Sequence, residues 1–373
     1  MKKALSVVIL LVLILSVFSS CENKTEPSLT NCGVMHEEKF GGIYINISID
    51  DFNSLGFEYG DSVDISFSNG KTLTDIPYYS GYYVDMGETL LVAYPGYPYI
   101  KACVNYGDDL WITDGLDENC TADVKLNESG KYVKIQNARN IKYSDEQGDQ
   151  SDEVFGNFGA VSAGDLKDNI LYRSASPCDN EHNRAAVVDR LIEKAGVNFV
   201  LNLSDNEDDM EELISMSDYN SPYYLSLYEK GKVAALGMSA NFKSDDFNEK
   251  LAKGLTEAAK NDGPYLVHCV EGKDRTGYVM MILEALAGAS YDEIIDDYML
   301  TYENYYGITQ TSDIDRYETI KEKNIDIMIA YVTGNDQNVD YRTADLSQYA
   351  ADFLVKIGMT NEDIETLQNK LTK

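Results

Sequence analysis

The stretch VHCVEGKDRTG, residues 267–277, constrains the fold of this chain more than any other part of its sequence. The segment PYLVHC is apolar and strand-like, and the run YVMMILEALAG after the loop has the pattern of a buried helix. A helix that begins at about Arg275 brings backbone N–H groups of the loop and of the first helical turn towards one point. In α/β sheets such a loop lies at the carboxyl ends of the strands, where ligands bind. The sequence therefore predicts an oxyanion-binding loop around Cys269.

The residue types in this loop suit phosphoryl transfer. Gly272 lets the backbone approach an oxyanion without a Cβ clash, and the planar fork of Arg275 matches two phosphoryl oxygens. The helix dipole and Arg275 both favour the thiolate form of Cys269. Such a thiolate can attack phosphorus and form a phosphocysteine, and the Thr276 hydroxyl is placed to donate to it when it leaves.

Cys-x5-Arg followed by Thr-Gly resembles the signature of the protein tyrosine phosphatase superfamily. The form HCVEGKDRTG is most similar to the bacterial tyrosine phosphatases of broad specificity, some of which also accept phosphoinositides. The resemblance covers residues 157–373 and implies catalytic roles for Cys269, Arg275 and Asp274, with His268 as a supporting residue. It implies that phosphate is bound by the loop residues Val270, Glu271, Gly272, Lys273, Asp274, Arg275 and Thr276.

Four aspartates are candidates for the general acid. The resemblance to the subgroup with Lys-Asp-Arg in its loop implies Asp274, which would protonate the leaving oxygen. Asp245 and Asp246 lie at roughly the distance from Cys269 at which many family members carry a mobile acid loop. They also follow Ser244, a predicted N-cap, where acids complement a helix dipole. Asp205, after the strand-like segment FVLNLS, is the remaining candidate.

Two motifs of that family differ here. Asn157-Phe158-Gly159-Ala160 stands where Asn-Phe-Arg-Asp is common, and Asn202-Leu203-Ser204 where Asp-Leu-Arg is common; Arg173-Ser174 is retained. The resemblance implies a phosphoprotein or small phosphoester as substrate. Lys273 favours phosphoinositides or inositol phosphates if its side chain faces the pocket. We expect no metal or other cofactor, since the thiolate mechanism needs none and the chain has three histidines.

The segments after residue 156 alternate between strand and helix patterns. Strands are predicted at NILYRSAS, NFVLNLS, PYYLSLY and PYLVHC, and helices at NEHNRAAVVDRLIEKAG, DDMEELISMS and SDDFNEKLAKGLTEAAKNDG. This order predicts an α/β fold with a mostly parallel sheet flanked by helices over residues 157–373. Residues 38–135 predict a small β-rich domain, with a hairpin turn at Asn69-Gly70, and residues 136–156 a connector.

The N-terminus predicts export. Lys2 and Lys3, the apolar run ALSVVILLVLILSVF and SSC form a lipoprotein-type signal over residues 1–21, with Cys21 as the lipidated residue. An uncleaved membrane anchor and an ordinary cleaved signal are the alternatives. Residues 22–37 predict a flexible tether. The expected location is therefore extracytoplasmic, on a membrane, where Cys103–Cys120 is a possible disulfide.

The chain carries 63 Asp and Glu against 31 Lys and Arg, a formal net charge of −32. This charge argues against nucleic acid as a partner, because nucleic acid binding rewards basic surface. A non-enzymatic alternative is an anchored binding protein with an inactive phosphatase domain. The intact Cys269, Arg275 and Thr276 argue against it.

Overall fold

The structure is a computed structural model and describes residues 26–335 and 338–373. The predicted signal and Cys21 lie outside the described residues, so their prediction stays untested. In the described ranges, none of the helices has the length and apolar character required to cross a membrane.

The first part of the chain forms a closed barrel of seven strands. The strands are β1 Ser28–His36, β2 Ile43–Ile45, β3 Ser62–Phe67, β4 Thr72–Tyr79, β5 Thr89–Val92, β6 Ile100–Val104 and β7 Thr121–Glu128. They follow one another around the barrel in the order β1-β2-β6-β5-β4-β3-β7, and all neighbours are antiparallel except β4 and β5. Alternate residues fill the interior, as Ile43 and Ile45 do on either side of the partly exposed Tyr44.

The predicted hairpin is confirmed, because Asn69 and Gly70 lie in the turn between β3 and β4. The tether prediction is wrong for residues 28–36. These residues form β1, which pairs with β2 and β7 and closes the barrel. Their polar composition misled the prediction, since most of their side chains face solvent while their backbone is bonded on both sides.

Two short helices lie between barrel strands, and two more follow the last strand and extend into the predicted connector. They are α1 Ile49–Ser54, α2 Leu110–Thr113, α3 Val133–Arg139 and α4 Asp152–Phe155. Helix α3 contacts a helix of the second half of the chain, α11 Ile314–Ile320. Cys103 and Cys120 are both buried free thiols. They belong to different packed clusters of the barrel, so the possible disulfide does not form in this structure.

The second half contains a five-stranded sheet. Its strands are β8 Gly159–Ala160, β9 Leu171–Ser174, β10 Phe199–Asn202, β11 Val233–Ala235 and β12 Tyr265–His268, in the order β11-β10-β12-β9-β8. Four strands are parallel and the edge strand β8 is antiparallel to β9. Both faces are packed, with Leu201 and Val267 in one apolar cluster and Val200 and Leu266 in another. This is the α/β fold with a preceding β-rich domain that the sequence predicts.

Helices and one π-helical turn complete this half. The helices are α5 Ala185–Ala195, α6 Glu207–Ser215, α7 Pro222–Glu229, α8 Asp245–Lys260, α9 Asp274–Leu286, α10 Tyr291–Tyr306, α11 Ile314–Ile320, α12 Asp326–Val332, α13 Leu346–Lys356 and α14 Asn361–Leu371. The π-helical turn is Lys321–Ile325. The predicted N-cap of α8 is confirmed, since the Ser244 side chain accepts from the Phe247 N–H at 3.2 Å.

The strand predicted at PYYLSLY is wrong, because this segment is helix α7. Pro222 occupies its first turn, where a proline costs no hydrogen bond. The Asp189 carboxylate accepts the N–H groups of Tyr223 and Tyr224 at 3.3 and 2.7 Å. These two donors have no partner within the first helical turn, so a side chain from α5 caps the helix. The strand that pairs with β10 is β11, which follows α7 in the chain.

Candidate active site

The site lies at the carboxyl ends of the parallel strands. Strand β12 ends at His268, helix α9 begins at Asp274, and the loop between them starts with Cys269, which is 3% exposed. The predicted strand, loop and helix are confirmed in that order. What this arrangement can bind depends on the direction in which the loop carbonyls point.

Each of three consecutive loop carbonyls accepts a hydrogen bond from outside the loop. The Val270 oxygen accepts from the Ser176 N–H at 3.0 Å. The Glu271 oxygen accepts from the Tyr305 hydroxyl at 2.6 Å, and the Gly272 oxygen from Arg173 Nη2 at 2.8 Å. The carbonyls are therefore fixed on the outer side of the loop.

Asn157 strengthens this anchorage. Its Nδ2 lies 3.3 Å from the Glu271 oxygen and 3.2 Å from the Gly272 oxygen, and its own Oδ1 accepts from Asn304 Nδ2 at 3.0 Å. The side chain is 2% exposed, and the residue has a φ of 46°, which asparagine tolerates better than most residues. Asn157 therefore supports the loop, although Gly159-Ala160 stands where Arg-Asp is common in the family motif.

The backbone N–H groups of residues 270–276 donate to no acceptor in the described part of the chain. Because the carbonyls of residues 270–272 are held outward, the N–H groups of residues 271–273 point to the opposite side of the loop, next to Cys269. The N–H groups of residues 274–276 are the free donors at the N-terminus of α9. Successive free N–H groups at a helix N-terminus form a binding site for an oxyanion.

Arg173 is itself held in a buried network. Its Nη1 donates to the carboxylate of Asp297, and its Nη2 also donates to Thr301 Oγ1 at 2.7 Å. Burial alone would lower the pKa of Arg173, but Asp297 and the nearby Glu284 raise it above its usual value. Burial raises the pKa of Glu284 well above that of an ordinary carboxyl. Arg173 therefore stays charged and fixes the position of Gly272.

Gly272 leaves no room for a side chain. Its φ is 68°, and a Cβ at this position would collide with the Ser174 carbonyl and lie 2.8 Å from the Ala175 nitrogen. The loop therefore packs directly on the backbone that follows β9, which explains why a glycine stands here.

Thr276 and His268 flank the cysteine. Thr276 is fully buried, and its Oγ1 has no partner among the described residues, so this hydroxyl is available to a group in the loop. Burial lowers the pKa of His268 to about 3, so its imidazole is neutral at physiological pH. It lies 3.2 Å from the Tyr224 hydroxyl through Nε2 and 3.5 Å from the Cys269 carbonyl through Nδ1. These contacts suit its predicted supporting position.

Arg275 and Asp274 open onto a cleft of about 180 Å³. Nη1 of Arg275 donates to the Met238 carbonyl at 2.8 Å, and among described residues its other nitrogens donate to none. Asp274 is exposed in the first turn of α9 and lines the same cleft. The structure thus places both residues between the loop and the open cleft.

The other three acid candidates lie elsewhere. Oδ2 of Asp205 is buried and accepts from Asn202 Nδ2 at 3.0 Å and Ser204 Oγ at 2.9 Å. Asp245 and Asp246 are exposed in the first turn of α8, and neither lines the cleft. Asp246 pairs with Lys250 at 3.0 Å.

The Lys273 side chain does not line the cleft. Its ammonium lies 2.8 Å from Glu271 Oε2. Burial alone would lower the pKa of Lys273, but the carboxylates of Asp274 and Glu271 outweigh it and raise the pKa. Glu271 is held on its other side by the Tyr143 hydroxyl at 2.9 Å. The Lys273 ammonium is therefore paired with a carboxylate of its own loop, and the phosphoinositide alternative stays a prediction.

Several supporting residues escaped the sequence analysis, among them Asn157, Tyr143 and Tyr305. They come from segments far apart in the chain, and no spacing links them to Cys269. For Asn157 the signal that could have been used is its place in the motif where Asn-Phe-Arg-Asp is common in the family.

Comparison with known proteins gives three findings. The model of the tyrosine phosphatase family matches residues 155–373, more than half of the chain. A tyrosine-protein phosphatase from Nostoc commune is 41% identical over 56 residues, which are 15% of this chain and 19% of that protein's length. The crystal structure of an uncharacterized conserved protein from Thermotoga maritima aligns with 22% identity and a TM-score of 0.22, over 26% of this chain and 35% of that chain.

Proposed function

This chain belongs to the tyrosine phosphatase family, and we propose that it hydrolyses phosphotyrosine and other phosphomonoesters through a phosphocysteine intermediate. The observation that carries the proposal is the loop around Cys269, whose N–H groups are free while its carbonyls are bonded outward. A loop of this form stabilises the charge on the equatorial oxygens of a transferring phosphoryl group.

The first step would join the Cys269 sulfur to phosphorus and break the bond between phosphorus and the ester oxygen. Arg275 would bind two phosphoryl oxygens through its fork. Asp274 would give its proton to the leaving oxygen, so that an alcohol or phenol departs. Its exposed position in the cleft beside Arg275 favours it over the buried Asp205 and over Asp245 and Asp246, which do not line the cleft.

The second step would hydrolyse the phosphocysteine. Asp274, now ionised, would take a proton from water as the water oxygen attacks phosphorus, and the bond between sulfur and phosphorus would break. The buried Thr276 hydroxyl would donate to the departing thiolate. Its Oγ1 has no other partner in the described ranges, so this hydrogen bond would replace none.

The test is hydrolysis of p-nitrophenyl phosphate and of a phosphotyrosine peptide by the full chain under reducing conditions. We expect turnover by the wild type and none by Cys269→Ser, whose hydroxyl is a far weaker nucleophile than a thiolate. Acid quenching during turnover should trap phosphate on Cys269. Equal turnover by the serine variant would overturn the mechanism, and no wild-type turnover from pH 5 to 8 would overturn the activity.

We also propose that the protein acts outside the cytoplasm, anchored through Cys21. This rests on the sequence of residues 1–21 alone. The wild type should incorporate labelled fatty acid after expression in a bacterial host, and Cys21→Ala should not. A wild type that stays in membranes without incorporating the label would favour an uncleaved anchor instead.

A further inference from the structure

The cleft beside the loop is built by both halves of the chain. Its barrel side is formed by Tyr82, Val84, Asp85, Met86 and Asn105, together with Arg139 at the end of α3. Its other side includes Phe242, Lys243, Asp274, Arg275, Tyr278 and Asn324. Asp274 and Arg275, in the first turn of α9, connect this cleft to the loop around Cys269.

Three polar atoms on lining residues of this cleft lack a hydrogen-bond partner among the described residues. They are the Tyr278 hydroxyl, Nε of Arg139 and Oδ1 of Asn324, and all three atoms are shielded from solvent. Tyr278 is fully buried as a residue. Unpaired buried polar atoms are costly, so a ligand that bonds with them is favoured. The Tyr278 hydroxyl and Nε of Arg139 are donors and suit an anion, whereas Oδ1 of Asn324 is an acceptor and does not.

The charges around the cleft favour an anion. Its charged lining residues are Arg139, Lys243, Arg275, Lys323, Asp85 and Asp274, so four are cations and two are anions. The whole chain has the opposite balance, with twice as many acids as bases. A cluster of cations in so acidic a protein concentrates positive potential at this cleft.

Arg139 is held in place by the other half of the chain. Its Nη2 donates at 2.7 Å to the carbonyl of Lys323, which belongs to the π-helical turn Lys321–Ile325. The same turn supplies Asn324, whose Nδ2 donates to the Tyr302 hydroxyl at 2.7 Å. Single π-helical turns occur frequently at functional sites. The turn thus positions Arg139 and Asn324 next to each other at the cleft.

We infer that this cleft is a second anion subsite, and that Arg139 selects phosphomonoesters that carry an additional carboxylate or phosphate. The inference rests on the proposed function, because the ester phosphate must occupy the loop. The barrel is then part of the enzyme's substrate site and not a separate binding module. The Tyr278 hydroxyl would donate a hydrogen bond to the second anion.

The experiment compares kcat/KM of the full chain for five substrates that share one ring. They are phenyl phosphate, the meta and para carboxyphenyl phosphates, and the meta and para phenylene bisphosphates. We expect the wild type to prefer at least one of the doubly anionic substrates. Arg139→Met should lower that preference about tenfold, as for loss of one charge-assisted hydrogen bond. A response to the bisphosphate alone would identify phosphate as the second group, and a response to the carboxylate alone would identify a carboxylate.

Arg316→Met is the matched control. Arg316 also joins the halves, since its Nε donates to the Asn137 carbonyl in α3 at 3.1 Å, but it does not line the cleft. We expect this variant to retain the wild-type preference. If both variants lost the preference for the doubly anionic substrate equally, Arg139 would have only a structural role. If the wild type showed no such preference, the subsite would be refuted.

Binding separates this inference from the proposed function. With Cys269→Ser, isothermal titration should show tighter binding of a phenylene bisphosphate than of phenyl phosphate, and the added Arg139→Met change should remove the difference. This result would hold even if the wild type had no turnover, in which case only the proposed activity would fail. Equal affinities in Cys269→Ser would overturn the subsite independently of catalysis.

Discussion

Replacing Gly272 with Ala should damage the loop in a way that can be separated from ordinary backbone strain. The position has a φ of 68°, which costs a residue with a Cβ about 1–2 kcal/mol. The added Cβ would also collide with the Ser174 carbonyl and lie 2.8 Å from the Ala175 nitrogen, well inside a carbon contact of about 3.5 Å. Overpacking of this kind costs about 1–3 kcal/mol. The sum is a loss of about 2–5 kcal/mol of folding free energy.

Gly196 provides the matched control. Its φ is 66°, it ends helix α5, and a Cβ there would meet nothing within 4 Å. Gly196→Ala should therefore show the strain alone, about 1–2 kcal/mol in urea denaturation.

The two variants should differ more in activity than in stability. To relieve the collision, the loop and the backbone after β9 must separate by roughly 1 Å, a displacement that can cost about 100-fold in rate. We expect that loss in kcat/KM for p-nitrophenyl phosphate from Gly272→Ala and almost none from Gly196→Ala. Equal stability and activity of the two variants would refute the argument that close packing on Ser174 shapes the loop.

Three further predictions concern the residues around Cys269. Asp274→Asn should lower kcat/KM, which reports the first step, about 100-fold for phenyl phosphate and much less for p-nitrophenyl phosphate, whose leaving group needs little protonation; Asp246→Asn should change neither value, and the reverse result would favour α8 as the source of the acid. Thr276→Val should slow the second step, so that quenched samples hold more phosphocysteine than the wild type; an unchanged amount would remove the hydroxyl from that step. The pKa of His268 is lowered to about 3 by burial, so it contributes stability that is present above the unfolded value of about 6.5 and is lost as pH falls. By pH 5 the free energy of unfolding should have fallen by about 2 kcal/mol. His268→Gln should be less stable than the wild type at pH 7, but its free energy of unfolding should change less between pH 7 and 5. Parallel stability curves for the two proteins would contradict a buried neutral imidazole.

The phosphatase loop could be predicted from sequence because its main residues are close together in the chain. Cys269, Gly272, Arg275 and Thr276 are neighbours in the chain, and a strand followed by a tight loop and a buried helix leaves few other arrangements. Short-range sequence patterns also predicted the hairpin at Asn69-Gly70 and the cap of α8 at Ser244. In each of these cases the interacting groups lie within a few residues of one another.

Predictions failed where a partner from elsewhere in the chain decided the outcome. The segment PYYLSLY is a helix because Asp189, from α5, accepts the N–H groups at its start. Residues 28–36 form a strand because β2 and β7 supply hydrogen bonds on both sides. The apolar and polar patterns of these segments could not reveal those partners.

Local pattern and turn chemistry were enough to predict the loop around Cys269, the α/β fold around it and the preceding β-rich region. Only the tertiary structure decided the rest of the site. It turned the loop carbonyls outward through Asn157, Arg173 and Tyr305, paired Lys273 with Glu271, and brought Arg139 to the cleft. The physical reason is that hydrogen bonds and ion pairs between distant segments depend on where packing places them, and a chain read residue by residue does not contain those distances.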